Sequence, residues 1–310
     1  MERPGSWGLE QLGMVEVRRQ EGTRSGRGYV EKCLQGEALY GDDFDADEVE
    51  VWLQDESEAY LQLTRAQKHD YQYGYHALND QHGYRHLPDK MFRAVLGVGS
   101  ASGDELAPIV ERCAGITIME PAKGFEVSSI GGVPVKYVRP QMSGVLPFGD
   151  GEFDLLACLG VLHHLPNVSR TIREFHRCLE SGGYALIREP VISMGDWRYP
   201  RKGLTKRERG IPAQLLREML AATGFEIVRE RACMFPVTAR LRHVLGQPVY
   251  NSKLAVFIDN LFCSVRIWPN RYHPTSLWHK LRPACLFFVV RKPTSQRHSV
   301  EGMDQRTQSV

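Results

Sequence analysis

Residues 146–167 read LPFGDGEFDLLACLGVLHHLPN. Phe148 and Phe153 flank the Gly149-Asp150-Gly151 turn and are expected to anchor it in a core. DLLACL (154–159) then forms a short apolar run, which reads as a strand buried on both faces. Asp154 is expected to order the start of that strand. The run ends at Gly160 and turns through Leu162-His163-His164. A helical pattern follows over about 168–180, with Ser181-Gly182-Gly183 as its stop. Strand 183–189 (GYALIRE) comes next.

The same alternation extends outward in both directions. Strand 93–98 enters the small-residue loop of VLGVGSASGDEL (95–106), and a helix is expected from Asp104 to about Cys113. Strand 116–120 (ITIME) leads to a turn at Pro121 and a short helix. A third strand is expected at 134–138. Helix 211–222 passes through Thr223-Gly224 into strand 225–231, and the last strand is 284–292. Repeated strand–helix units imply a parallel sheet covered on both faces, with right-handed crossovers.

Outside this centre the signals differ. Residues 1–43 are expected to be largely disordered. Residues 44–90 read as a helical cap, opened by Asp45 with Glu48 three residues on. Within it Val49, Trp52, Tyr60 and Leu63 share one face. A second helical segment is expected at about 66–79, carrying Tyr71, Tyr73, Tyr75 and His76. Residues 236–283 read as a helical insertion within a domain spanning 91–292, and 293–310 as a flexible tail. A net charge of +2 gives no reason to expect a nucleic-acid partner or membrane insertion. Seven cysteines without a C-x-x-C pair read as reduced thiols of a cytoplasmic protein.

Three segments, VLGVGSASG at 95–103, ITIMEP at 116–121 and LPFGDGEFDLLACLGVLHHLPN at 146–167, together resemble class I S-adenosylmethionine-dependent methyltransferases, of the type 11-like group. The resemblance covers roughly 90–232. It implies a Rossmann-like α/β three-layer sandwich, with a mostly parallel seven-stranded sheet and an antiparallel last strand. It also implies S-adenosyl-L-methionine as cofactor. The residues it places around that cofactor are Gly97, Gly99, Ser100, Ala101, Gly103, Glu120, Pro121, Met142, Ser143, Leu159, Gly160 and His164. Glu120 would accept the ribose hydroxyls. The family usually has an acid at the position of Gly97 and an Asp near Met142, and this chain has neither. Asp104 and Glu105 are expected to stabilise the N-terminus of the next helix.

The loop after strand 183–189 is rich in cations, which suits a small anionic acceptor, because a guanidinium binds two oxygens at once. Arg188, Asp196, Arg198, Arg201 and Arg209 are the candidate acceptor-binding residues. Methyl transfer to O or N needs a base, and His163 and Glu189 are the candidates, His being poised near neutral pH. No second ligand cluster of regular spacing accompanies the histidine pair, so no metal is expected. Oligomeric state is left open. The alternatives are a nicotinamide-dependent oxidoreductase, disfavoured by Ser102 at the last glycine of G-x-G-x-x-G, and a non-catalytic partner that keeps the fold.

Overall fold

The computed structural model describes residues 27–67, 72–141, 145–241, 248–265, 267 and 271–294, with the backbone alone over 57–67. Eight strands form one sheet: β1 Val95–Val98, β2 Ile116–Met119, β3 Ser129–Ile130, β4 Val133–Val138, β5 Phe153–Leu159, β6 Leu179–Pro190, β7 Glu226–Cys233 and β8 Cys285–Arg291. Their order is β3-β4-β2-β1-β5-β6-β8-β7. β4, β2, β1, β5 and β6 run parallel, whereas β8 lies antiparallel between β6 and β7. All seven expected strands are present. The eighth, β3, is a two-residue partner that hairpins onto β4 through Gly131-Gly132.

β1 and β5 are buried at every position, as central strands of a parallel sheet must be. Their side chains alternate between two cores. Leu156 and Cys158 of β5 join one core with Val168, Ile172, Phe175, Leu216 and Leu220. Leu155, Ala157 and Leu159 join the other, with Leu78, Tyr84, Leu106 and Ile109. This is the period-2 alternation of a strand covered on both sides, and it gives three layers. The helix α4 (Val168–Cys178, numbered after three N-terminal helices described next) buries Val168, Thr171, Ile172, Phe175 and Cys178, an i, i+3, i+4, i+7 stripe. Truncating Phe175 to Ala would cost about 3–5 kcal/mol.

The N-terminal helices are α1 (Arg27–Gln35), α2 (Ala46–Gln67) and α3 (His76–His82). α5 is Ala213–Thr223, α6 Pro236–Arg240 and α7 Lys253–Ser264, the last two lying in the insertion before β8. α2 opens on a reciprocal capping box: Asp45 N donates to Glu48 Oε2 and Glu48 N to Asp45 Oδ1, both at 3.0 Å.

Four local expectations change. The expected disorder does not extend over 27–43, because α1 forms there and Cys33 and Leu39 are buried. The second cap helix begins at His76 rather than near 66. Residues 104–112 wind as 3-10 helix instead of α-helix. Pro108 lies inside the segment and has no N–H to give to an i−4 carbonyl. α4 stops at Cys178, and Gly182-Gly183 fall inside β6. The expectations for 1–26 and for 295–310, and those for the side chains of Tyr60, Leu63 and Tyr71, lie outside the described residues. Among the described residues no helix is long and apolar enough to cross a membrane. All seven cysteines are free, and all but Cys263 are buried.

Candidate functional site

The carboxyl ends of β1, β2, β5 and β6 lie side by side, where open α/β sheets bind ligands. Beyond β1 the loop folds back on itself. A Cβ at Gly97 would sit 2.5 Å from Ser100 Oγ, so this conformation has no room for an acid there. Ser100 Oγ instead donates to Glu105 Oε1. Glu105 does not lie on the surface as a helix-start acid; it is 4% exposed, beneath the loop. Burial pushes its carboxyl up to about 7, while the Ser100 bond and the charge of Arg188 pull the other way. The carboxyl missing at position 97 thus has a buried counterpart eight residues later.

At the end of β2, Glu120 accepts backbone N–H bonds from Ala101 (3.2 Å) and Ala122 (3.0 Å). Tyr137 OH donates to Ala101 O at 3.1 Å and fixes the loop from the β4 side. Glu120 is buried and Pro121 beside it is exposed. Met142 and Ser143 lie outside the described residues. Leu159 closes β5, and Gly160 follows at φ +86°. A Cβ there would stand 3.8 Å from both Arg188 Nη2 and His163 Cε1, so Gly160 borders both side chains.

The turn after Gly160 is fixed by side chains from elsewhere. Glu189, fully buried, accepts from Val161 N and Leu162 N at 2.9 Å, from His163 N at 3.3 Å and from His163 Nδ1 at 2.7 Å. Desolvation works against its charge, but the His163 bond and the backbone donors outweigh it and hold the carboxyl below its usual range. With four donors, Glu189 is not arranged as a free base. Burial alone would push His163 down. Its bond to Glu189 and the nearby carboxylate of Glu208 outweigh that and raise it to about 9. A ring engaged by carboxylates on both sides is not arranged as the expected free base. His164 Nδ1 bonds Glu56 Oε2 at 2.9 Å, and Trp52 Nε1 donates to His164 O at 2.7 Å.

The five acceptor-loop candidates separate. Arg209 is fully buried and turns inward, donating to Tyr40 O, Leu162 O, His163 O and Leu165 O. Arg201 donates to the carbonyls of Met194, Thr205, Lys206 and Glu208. Asp196 and Arg198 pair with each other. Loop charge that read as acceptor-facing therefore organises its own backbone at these four positions. Arg188 alone of the five stands at the strand ends. Nη1 donates to Asn79 Oδ1 at 2.7 Å and Nη2 to Leu159 O at 3.4 Å, and Tyr75 stacks on the guanidinium at 4.3 Å. From the N-terminal cap, Tyr75 reaches the site. Tyr73 OH accepts from Asn79 Nδ2 behind it. His82 is buried against Phe287, and burial lowers it to about 4.

Sequence reading missed Glu56, Asn79, Glu105 and Glu208. Glu105 carried a local signal, since it stands two residues past the last glycine of the loop. The others come from α2, α3 and the basic loop, and no spacing links them to the turn.

Residues 71–230 match a family described as a methyltransferase domain. The chain belongs to that family. That family's cofactor is S-adenosyl-L-methionine, so the chain carries a methyltransferase domain and not the nicotinamide-dependent oxidoreductase of the alternative reading. A relative described as the uncharacterized methyltransferase YcgJ of Bacillus subtilis is 30% identical over 102 residues, which is 30% of this chain and 39% of that protein. Among solved structures, a Haloferax volcanii complex of the Trm112 methyltransferase activator with a putative methyltransferase aligns at TM-score 0.50. It has 11% identity and covers 77% of this chain and 98% of that one. An S-adenosylmethionine-dependent methyltransferase from Mesorhizobium loti aligns at TM-score 0.45 and 16% identity, covering 66% and 93%. The Haloferax volcanii alignment agrees with the expected Rossmann-like, mostly parallel sheet with an antiparallel last strand.

The donor set at the strand ends fits the cofactor. Glu120 lies buried at the end of β2 beside the small-residue loop whose backbone it binds. Gly160 opens the end of β5. Glu105 stands buried near the β1 end, where the ammonium of an amino-acid moiety would find a carboxyl partner.

Proposed function

We propose that this methyltransferase carries a methyl group to an oxygen or nitrogen of a small anionic acceptor, and that Arg188 recognises the anion. The observation that carries this reading is the state of Arg188: 5% exposed, with no carboxylate within salt-bridge distance among the described residues, at the rim of Gly160. Burying a charge is costly unless it is paired, and an acceptor carboxylate or phosphate completes that pairing.

S-adenosylmethionine supplies a methyl on a cationic sulfur, already a good leaving group. The protein's share is therefore mostly alignment, worth up to about 7–11 kcal/mol. Glu120 receives the ribose hydroxyls. Gly97, Gly99, Ser100, Ala101 and Gly103 shape the loop around the amino-acid end. Glu105 takes the role of the absent acid at position 97. Leu159 and Gly160 let the reacting end approach the turn, and Arg188 with Tyr75 orients the acceptor. His163 and Glu189 hold the turn in place as positioning residues.

The test uses methyl-labelled S-adenosylmethionine and paired acceptors that differ by one phosphate or carboxylate. Label is expected in the anionic member of a pair and lost from it in Arg188→Gln. Equal transfer to both members, or transfer indifferent to the substitution, would remove the anion reading.

A further inference from the structure

We propose that His163, His164 and Glu208 form a binding site for one divalent first-row transition-metal ion, zinc foremost. One nitrogen of each ring and one oxygen of Glu208 lie within 4.8 Å of one another. His163 Nε2 faces Glu208 Oε1 at 3.6 Å, too long for a hydrogen bond. Two ligands of a tetrahedral ion with bonds of about 2.0–2.2 Å are separated by about 3.4 Å. The pair is therefore already at ligand spacing, and His164 lies within the same cluster.

The surroundings of the rings argue more strongly than the cluster itself. Both imidazoles are held through Nδ1 by a buried carboxylate, His163 by Glu189 at 2.7 Å and His164 by Glu56 at 2.9 Å. This leaves Nε2 as the nitrogen each can present. A carboxylate on the far nitrogen is the usual outer partner of a metal-ligating histidine, because it fixes the tautomer and strengthens the donor. The outer carboxylates are themselves fixed. Glu189 accepts from the turn's backbone, and Glu56 accepts from Thr205 Oγ1 (2.8 Å) and Arg207 N (3.0 Å). Glu208 is oriented by Thr205 N, which donates to Oε2 at 3.0 Å and leaves Oε1 toward the rings.

Charge points the same way. Three carboxylates, Glu56, Glu189 and Glu208, converge on two imidazoles. The cations that bear on these carboxylates, Arg209 and Arg201, both give their hydrogen bonds to carbonyls. A dication balances that excess. Two nitrogens and one oxygen suit zinc and its first-row neighbours better than magnesium or calcium. Three protein ligands leave a coordination position open, and the half-buried His164 gives access from solvent. The rival arrangement is an ion triad in which His163 carries a proton between Glu189 and Glu208 and no metal enters.

The experiment strips the full-length protein with a chelator and titrates it with Zn²⁺ and, separately, Co²⁺ against a chromophoric competitor. Thermal melts of the metal-free proteins serve as a folding control. One equivalent per chain is expected, with a Co²⁺ d–d spectrum of low coordination number. His164→Ala and Glu208→Gln are each expected to weaken binding by at least 100-fold. Glu56→Gln, which removes only an outer partner, should weaken it about 10- to 100-fold. Failure to bind a stoichiometric ion, or binding that is the same in His164→Ala and in the outer-partner variant Glu56→Gln as in wild type, would overturn the site in favour of the ion triad. Should Glu208→Gln not fold, the other two variants decide. None of these readouts depends on methyl transfer, so they succeed or fail independently of the acceptor reading.

Discussion

Two buried arginines border the same turn, yet the protein uses them oppositely. Arg209 gives donors to four backbone carbonyls and lies 4.8 Å over the ring of Trp52. Arg188 makes two bonds, both to neutral oxygens, and stacks on Tyr75. A guanidinium offers five N–H donors in a fixed fork. Arg209 fills its fork from within the chain and so turns a charge into scaffolding. Arg188 leaves part of its fork facing the strand ends. The burial of a charge therefore says little about its role; the count and kind of its partners say more.

The comparison can be broken or sharpened by four measurements. The largest effect belongs to Arg209→Met, which strands several buried carbonyls around Leu162–Leu165. Urea unfolding should register a loss of about 3–5 kcal/mol. If Arg188→Gln costs as much, the two arginines are alike and the contrast fails.

Glu105 tests the surroundings of Arg188. Its folded value of about 7 lies above the ordinary carboxyl value of 4.5, so the folded state holds the proton more tightly. Its contribution is therefore full below about pH 4.5, shrinks as pH rises toward 7, and stays lost above that, by up to about 3 kcal/mol. Arg188, Glu120, Asp104 and Ser100 are the groups that bear on it. Glu105→Gln should flatten the melting temperature between pH 5 and 8. In the wild type, affinity for S-adenosylmethionine should rise over the same interval, because an ammonium favours the ionised carboxyl. An unchanged pH profile in Glu105→Gln would place the titration elsewhere.

For Arg188→Gln itself, a rise of about 100-fold in the acceptor's KM is expected, with melting temperature nearly unchanged, since a charge-assisted bond to a ligand is worth about 2–3 kcal/mol. The smallest effect is that of Trp52→Phe. It removes the bond from Nε1 to His164 O and keeps most of the ring beside Arg209, for a loss of about 1 kcal/mol by the same unfolding assay.

What was legible in the sequence was what is local. β5 and its turn carried their signals within twenty residues: the Phe148–Phe153 pair, five positions apart, meets edge-on at 4.9 Å. The Asp45–Glu48 cap was readable for the same reason. Pro108 was equally visible, and its effect on residues 104–112 was the part of the local code not applied. The clamp on the LHH turn was not readable. Its parts, Trp52, Glu56, Glu189 and Arg209, lie 26 to 112 residues away from the atoms of the turn they hold, and nothing but the fold brings them there. The basic loop showed its sign but not its direction, because a cation that serves carbonyls has the same one-letter code as one that serves a ligand.

The stretch between α1 and α2 is stitched across the turn and the start of α4. Asn167 bonds both Phe44 N and Phe44 O through its side chain, Asn167 N donates to Gly41 O, and Ser169 N donates to Asp42 Oδ1. These partners are separated by 123 to 127 positions. On a ribosome adding about 5–20 residues per second, the first-made strap waits roughly 6–25 s for the peptide it must close over. The piece born earliest is the one fastened latest. During that interval Leu39, Trp52 and the rim of the site stand open to any chaperone or chain that meets them.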